Sequence, residues 1–342
     1  MAYSSITKPG DYFNNVLYTG NGSTQSITGV GFQPDWIWIK ERSATSNHKI
    51  NDVIRGTSKY LASDSSAAED TTGAGIQSYD SDGFSISNAT DINDNSQTYV
   101  AWNWKAGGTA SSNTDGATTT NVSVNTTAGF SVFTFTGTGA NTTVGHGLGA
   151  VPKMFIVKRY DASNNWRVYH HSLGNGNQLT LEQTSASASA AGFTNNTDPT
   201  SSVISLGNQG SSNASGGSMI CYAFAEKKGY SSFGSYVANN NVSGPFVYTG
   251  FKPAYLMIKK SSATENWLVV DNKRDTYNTV QNTIILNTTN SEFTGTDRVD
   301  FLSNGFKCRT ATGGINDGGT FIYMAFAENP IVGSNNVPAV AR

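Results

Sequence analysis

The chain has 342 residues, a formal net charge of −2 and 13% charged residues, against roughly 25% in an average globular protein. So little positive excess excludes the electrostatic footprint of a nucleic-acid binder, and no apolar run approaches the ~18 residues of a membrane span. Gly, Ser, Thr and Asn dominate while aromatics reach 11%, a balance that excludes disorder and favours short strands joined by turns over long helices.

Residues 1–10 form an N-terminal arm. Met1-Ala2-Tyr3-Ser4-Ser5 lacks the charged and apolar regions of a secretory leader, so synthesis in a cytoplasm is expected. Residues 11–107 form a first unit whose anchor is Gly31-Phe32-Gln33-Pro34-Asp35-Trp36-Ile37-Trp38-Ile39-Lys40. The apolar run Trp36 to Ile39 predicts a central strand covered on both faces. Asp82-Gly83-Phe84 marks a turn into a half-buried strand, and Tyr99-Val100-Ala101-Trp102-Asn103-Trp104 closes the unit. Residues 108–127, rich in Gly, Ser, Thr and Asn, read as a flexible linker.

The anchor returns at 128–228 as Gly149-Ala150-Val151-Pro152-Lys153-Met154-Phe155-Ile156-Val157-Lys158, and at 229–330 as Gly250-Phe251-Lys252-Pro253-Ala254-Tyr255-Leu256-Met257-Ile258-Lys259. Thirteen residues after each proline stand Asn47, Asn165 and Asn266, followed by His48, Trp166 and Trp267. The closing anchors of the later units centre on Ala223 and Ala325, matching Ala101, and the proline-to-alanine separations are 67, 71 and 72 residues. These spacings predict three tandem all-β units of one fold. Trp102, Phe224 and Phe326 are expected in the core, and Lys40, Lys158 and Lys259 at a solvated strand exit. The Ala-rich stretch Thr184 to Ala191 is expected to form one or two helical turns. Residues 331–342 are an extended tail.

Residues able to carry chemistry are sparse. Gly145-His146-Gly147-Leu148-Gly149 precedes a strand rather than a helix, so it reads as a turn, not a phosphate cradle. His170 and His171 are adjacent, so in a strand they point to opposite faces and do not share a metal. Asp80, Asp82, Asp91 and Asp94 lack the later ligands of a calcium loop and read as turn residues. Cys221 and Cys308 are isolated, and no disulfide is expected. No catalytic, cofactor or metal site is expected, and hence no enzyme.

Tyr18-Thr19-Gly20-Asn21-Gly22, the Gly31-to-Lys40 anchor, Asp82-Gly83-Phe84, the run Tyr99 to Gly108, and His146-Gly147-Leu148-Gly149 together resemble a repeat domain of structural proteins in marine tailed phages, notably those of cyanobacteria. The resemblance covers nearly the whole chain. It implies lectin-like, jelly-roll β-sandwiches in tail fibres or other exposed virion parts. The function expected from it is a tail-fibre or receptor-binding component that attaches to the host surface. The alternative is a capsid decoration or fibre-connecting protein, which the short N-terminal arm favours. Expected partners are other virion proteins, a host surface glycan and further copies of the chain in a trimer, with no nucleic acid and no membrane insertion.

A ligand site, if it lies in the repeats, falls on His48, Trp166 and Trp267. A flat ring beside Asn and Asp suits the C–H face and hydroxyls of a pyranose. The competing reading, favoured by their scaffold-like spacing, has these rings packing within their own sandwiches.

Overall fold

A computed structural model describes residues 4–73 and 75–331. The protein is all-β, and its helices are single turns. Each unit builds a principal antiparallel sheet in one strand order. In the first, Phe13–Thr19, Thr98–Trp104, Trp36–Glu41 and Lys49–Asp52 lie side by side in that sequence. The second repeats it with Phe130–Thr136, Ser218–Phe224, Met154–Arg159 and Arg167–His170. The third uses Ser231–Val237, Thr320–Pro330, Phe251–Lys260 and Trp267–Asp271. A smaller sheet covers one face of each principal sheet. In unit one, Ile27, Ile76 and Phe84 of the small sheet share an apolar cluster with Ile37, Ile39 and Tyr99 of the large one, giving a two-layer unit.

The other face of each principal sheet is also buried. Alternation along the strand turns Trp36 and Trp38 away from Ile37 and Ile39. Trp36, Trp38, Trp102 and Trp104 join Met154, Trp166, Tyr222 and Phe224 of unit two and Tyr255, Trp267 and Phe326 of unit three in a single cluster. Ring contacts cross every boundary: Trp36 to Tyr222 at 4.8 Å, Trp104 to Tyr255 at 5.6 Å, and Phe224 to Phe326 at 6.1 Å between centroids. The three units therefore stand around one common core with their principal sheets facing inward. The apolar strand Trp36 to Ile39 is covered on both faces as expected. The cover on its inward face comes from the sister units of the same chain, so no second copy is needed to bury it.

Register corrects the alignment of the closing anchors. Trp36, Met154 and Tyr255, each two residues after its anchor proline, pair with Trp104, Phe224 and Phe326. The counterpart of Phe224 and Phe326 is thus Trp104, while Trp102 matches Tyr222 and Met324. Matching by alanine displaced the first copy by two residues. A two-residue shift keeps a side chain on the same face of a strand, so Trp102, Phe224 and Phe326 are all buried as expected. Phe326 packs on Phe13, Trp104 and Tyr230. Phe326→Ala should lower unfolding free energy by about 3–5 kcal/mol, read from the urea midpoint at constant slope.

The stretch 108–127 is not a free linker. Thr120–Asn125 pairs with Phe130–Thr136, and Ser111–Asn113 adds outside it. Val122 enters the unit-two cluster. Alternating Val122 and Val124 among polar residues carried that strand signal, which the Ser/Thr/Asn composition hid. The Ala-rich stretch is mostly non-helical: Ala188–Ser189 is a short strand, and the single helical turn Ala191–Thr194 starts only at its end. In the arm, Ile6 is buried and Pro9–Asp11 forms a 3-10 turn. The tail expected at 331–342 lies, beyond Ile331, outside the described residues. Cys221 and Cys308 are buried, unbridged and in separate clusters. Among the described residues no helix is long and apolar enough to cross a membrane.

Candidate functional site

The residues singled out by the second anchor lie where one unit meets the next. The same two backbone hydrogen bonds recur at every seam. Twelve residues after each anchor proline, an N–H donates to the preceding unit: Asn164 to the Ser66 carbonyl at 2.8 Å, Glu265 to Thr184 at 2.8 Å, and Ser46 to Thr289 at 2.9 Å. In return, Glu69 N–H donates to the Tyr160 carbonyl, Ser187 to Ser261, and Glu292 to Arg42, at 2.8, 2.9 and 2.9 Å. Unit three thus contacts unit one as unit one contacts unit two, and the chain closes into a ring.

His48, Trp166 and Trp267 close these seams. Trp166 Nε1 donates to the carbonyls of Ala62 and Ser65 at 2.9 and 3.1 Å, and Trp267 Nε1 to Thr180 at 3.0 Å. His48 Nδ1 accepts from Trp38 Nε1 at 2.9 Å, which leaves its proton on Nε2 to donate to the Ile285 carbonyl at 3.0 Å. All three are at most 1% exposed. A sugar has no open ring face to stack on there, so the glycan expectation at these positions is replaced by a seam role.

Lys40, Lys158 and Lys259 are likewise buried rather than solvated. Lys158 Nζ donates to the Ser66 and Asn164 carbonyls, and Lys259 Nζ to those of Thr184 and Lys260. Burial pushes all three ammonium groups down to about 8.

Deeper in each seam the chemistry departs from threefold identity. Tyr222 OH donates to Asp52 Oδ2 at 2.9 Å, and Asp52 is paired with Arg55 at 2.6 Å. At the equivalent place Trp102 Nε1 donates to Asp271 Oδ2 at 3.0 Å, and Asp271 is paired with Arg274 at 2.6 Å. At the third, the donor position holds Met324, and the Asp–Arg pair is replaced by His170 and Leu173. His170 Nε2 reaches the Tyr323 carbonyl at 3.1 Å instead. His170 and His171 do not point to opposite faces, because the strand ends at His170 and a 3-10 turn begins at His171. Their rings lie 5.2 Å apart, and His171 Nε2 meets the Phe233 carbonyl at 2.9 Å. Among the described residues no group of three or more His, Cys, Asp or Glu is placed to hold a metal.

One seam also holds a cleft. A cleft of about 500 Å³ between units one and three is lined by Phe13 and Asn15 on one side and by Ala254, Asn272, Lys273 and Tyr277 on the other, with Glu328 beside them. Asn15 is 1% exposed, and its amide nitrogen has no hydrogen-bond partner. Strand register places Asn15 opposite Trp102, Val132 opposite Tyr222 and Phe233 opposite Met324. The sister units therefore put apolar side chains where unit one puts an amide. No motif marked this cleft in the sequence, because its walls are about 250 residues apart along the chain.

The sequence model of a domain of unknown function, DUF7483, matches residues 8–330. The chain belongs to the DUF7483 family. No curated protein matches it. The family match spans all three units, as a ring closed by its first and last units requires.

A further device of the DUF7483 ring escaped the sequence reading. Asn93, Asn213 and Asn316 are fully buried just before the closing strands. Their Oδ1 atoms accept from the N–H groups of Asn21, Thr138 and Asn239 at 2.9, 2.8 and 2.8 Å. Asp82, read as a turn residue, does bind a turn, accepting from Gly29 and Gly31 N–H at 3.1 and 2.7 Å.

The seam histidines give the ring an acid limit. Burial drives His48 and His170 down to about 3, whereas an unfolded histidine titrates near ~6.5. Below that value the unfolded chain binds the protons first. Stability from these groups is therefore complete above ~6.5 and is lost as pH falls toward 3. The urea midpoint should drop between pH 7 and pH 4 more steeply for the native protein than for His48→Gln. Equal slopes would show that His48 is not held neutral by the fold.

Proposed function

We propose that this chain is a non-enzymatic structural protein of a bacteriophage virion, a tail-fibre or receptor-binding component that attaches to the host surface. The observation that carries the reading is a division of labour within the ring. The seams repeat nearly the same chemistry, whereas exposed apolar side chains concentrate on one unit. Among the described residues, the exposed large apolar side chains Val237, Val242, Phe246, Tyr248, Tyr277 and Phe293 belong to unit three, against Leu17 and Val151 elsewhere. A rigid body in which one unit carries most of the exposed large apolar side chains suits attachment. Reading each two-layer unit as a lectin-like jelly roll belongs to the same proposal. A capsid decoration or fibre-connecting role is the second reading. It is favoured by the pseudo-threefold ring, which matches a threefold partner such as the end of a trimeric fibre.

Antibody labelling of purified virions separates the two. Label at the tail, with antibody blocking adsorption, supports attachment. Label on capsid faces or at a fibre junction, with adsorption unaffected, supports the second reading. Absence from virions rejects both. Release of oligosaccharide from host polysaccharide by the purified protein would overturn the non-enzymatic part.

A further inference from the structure

We propose that the cleft between units one and three is a saccharide site that takes one or two neutral pyranose units. The proposal rests on the attachment reading only for where the sugar comes from; binding itself does not depend on that reading.

Two independent features point to a ligand. The volume, about 500 Å³, lies within the ~300–1,000 Å³ typical of small-molecule sites. Asn15 lines the cleft and is buried, with an amide nitrogen that has no hydrogen-bond partner. A buried donor without a partner costs free energy and calls for an explanation in an ordered protein. Folding does not require an amide here, since Val132 and Phe233 occupy the equivalent positions in the sister units.

The lining selects the ligand class. Asn15 and Asn272 bring amides to the cleft, Phe13 and Ala254 give it an apolar wall, and Tyr277, 78% exposed, stands at its edge. Amides suit the paired donor and acceptor character of sugar hydroxyls, and an aromatic face suits the apolar C–H side of a pyranose. Lys273 and Glu328 carry opposite charges in the same lining, so the cleft has no net preference for an anion or a cation.

The test uses the full chain and ligand-observed NMR with glucose, galactose, mannose, rhamnose and N-acetylglucosamine, and with glucuronate and inorganic phosphate as charged comparisons. At least one neutral sugar should show saturable binding. Tyr277→Ala, an exposed change, should weaken it roughly tenfold. Asn15→Val, which copies unit two, should abolish it while leaving the melting temperature unchanged or higher. Any of three results would overturn the site: no neutral sugar saturates, either variant binds like the native protein, or a charged probe binds ahead of the neutral sugars. A marked fall in the melting temperature of Asn15→Val would assign the amide a structural role and equally reject the proposal. Sugar binding by a protein missing from virions would keep the site and reject the attachment reading.

Discussion

Removing residues 1–107 should leave a chain that does not fold as a monomer. Three linear sandwiches would tolerate the loss of a terminal one, but a closed ring does not. The deletion takes Trp36, Trp38, Trp102 and Trp104 out of the shared core and opens the inner faces of both remaining principal sheets to water. It strips Trp166 of both its carbonyl acceptors and Lys158 of the Ser66 carbonyl. It also removes the Asp52 acceptor from Tyr222 and the Trp102 donor from Asp271. An exposed apolar face of that kind exceeds what soluble monomers carry and drives association. Light scattering and near-ultraviolet circular dichroism on the 108–342 fragment should report aggregates or oligomers without fixed aromatic packing, and co-expression with 1–107 should restore a soluble complex. A monomeric 108–342 fragment with native aromatic dichroism would show that the units are independent after all.

How much of this was legible in the sequence follows from what each signal measures. Anchor spacing measures the distance along the chain between strands of one unit, so the repeats and the all-β class could be read from it. Burial on both faces of Trp36 to Ile39 was legible too, because a run without polar alternation has no solvent face. What covered the second face was not legible, since the covering residues belong to other units. The same blindness explains the lysines. A lysine after an apolar strand looks like a solvated exit unless carbonyls from a neighbouring loop, such as Thr184 for Lys259, are known to surround it.

His48, Trp166 and Trp267 matched across the copies because they do one job three times. That regularity was the sign of a scaffold. The cleft gave the opposite signal, a departure from regularity at Asn15 against Val132 and Phe233. It becomes visible only when strand register aligns the copies residue by residue. A two-residue error in the closing anchor was harmless for predicting burial but hid the match between Trp102, Tyr222 and Met324. With that match in place, the seams show paired changes within one chain. Where the donor is Trp or Tyr the acceptor is an Asp held by Arg, and where the donor position holds Met both acceptor and Arg are gone.

Breaking that pairing in one seam should be among the most damaging single changes available. In Arg274→Leu, the residue introduced is the one unit two carries at the equivalent Leu173. Asp271 and Arg274 both have fully buried side chains. Burial alone would raise the Asp271 carboxyl, but the adjacent Arg274 guanidinium outweighs it and holds the group below the usual carboxylate range. Arg274 also bonds Glu292 at 2.9 Å and the Val269 carbonyl at 3.0 Å. Removing it leaves the fully buried Asp271 carboxylate without its cation, while Glu292 keeps its pair with Arg42 at 2.8 Å, at an expected cost of about 3–5 kcal/mol. The double change Asp271→His with Arg274→Leu removes the stranded charge and reproduces the unit-two pair, so it should be less destabilised than Arg274→Leu alone despite carrying one more substitution. Urea unfolding of the native protein, Asp271→His, Arg274→Leu and the double variant measures the coupling directly. If the two single effects simply add, the seam positions are energetically independent and the match between units carries no energetic meaning.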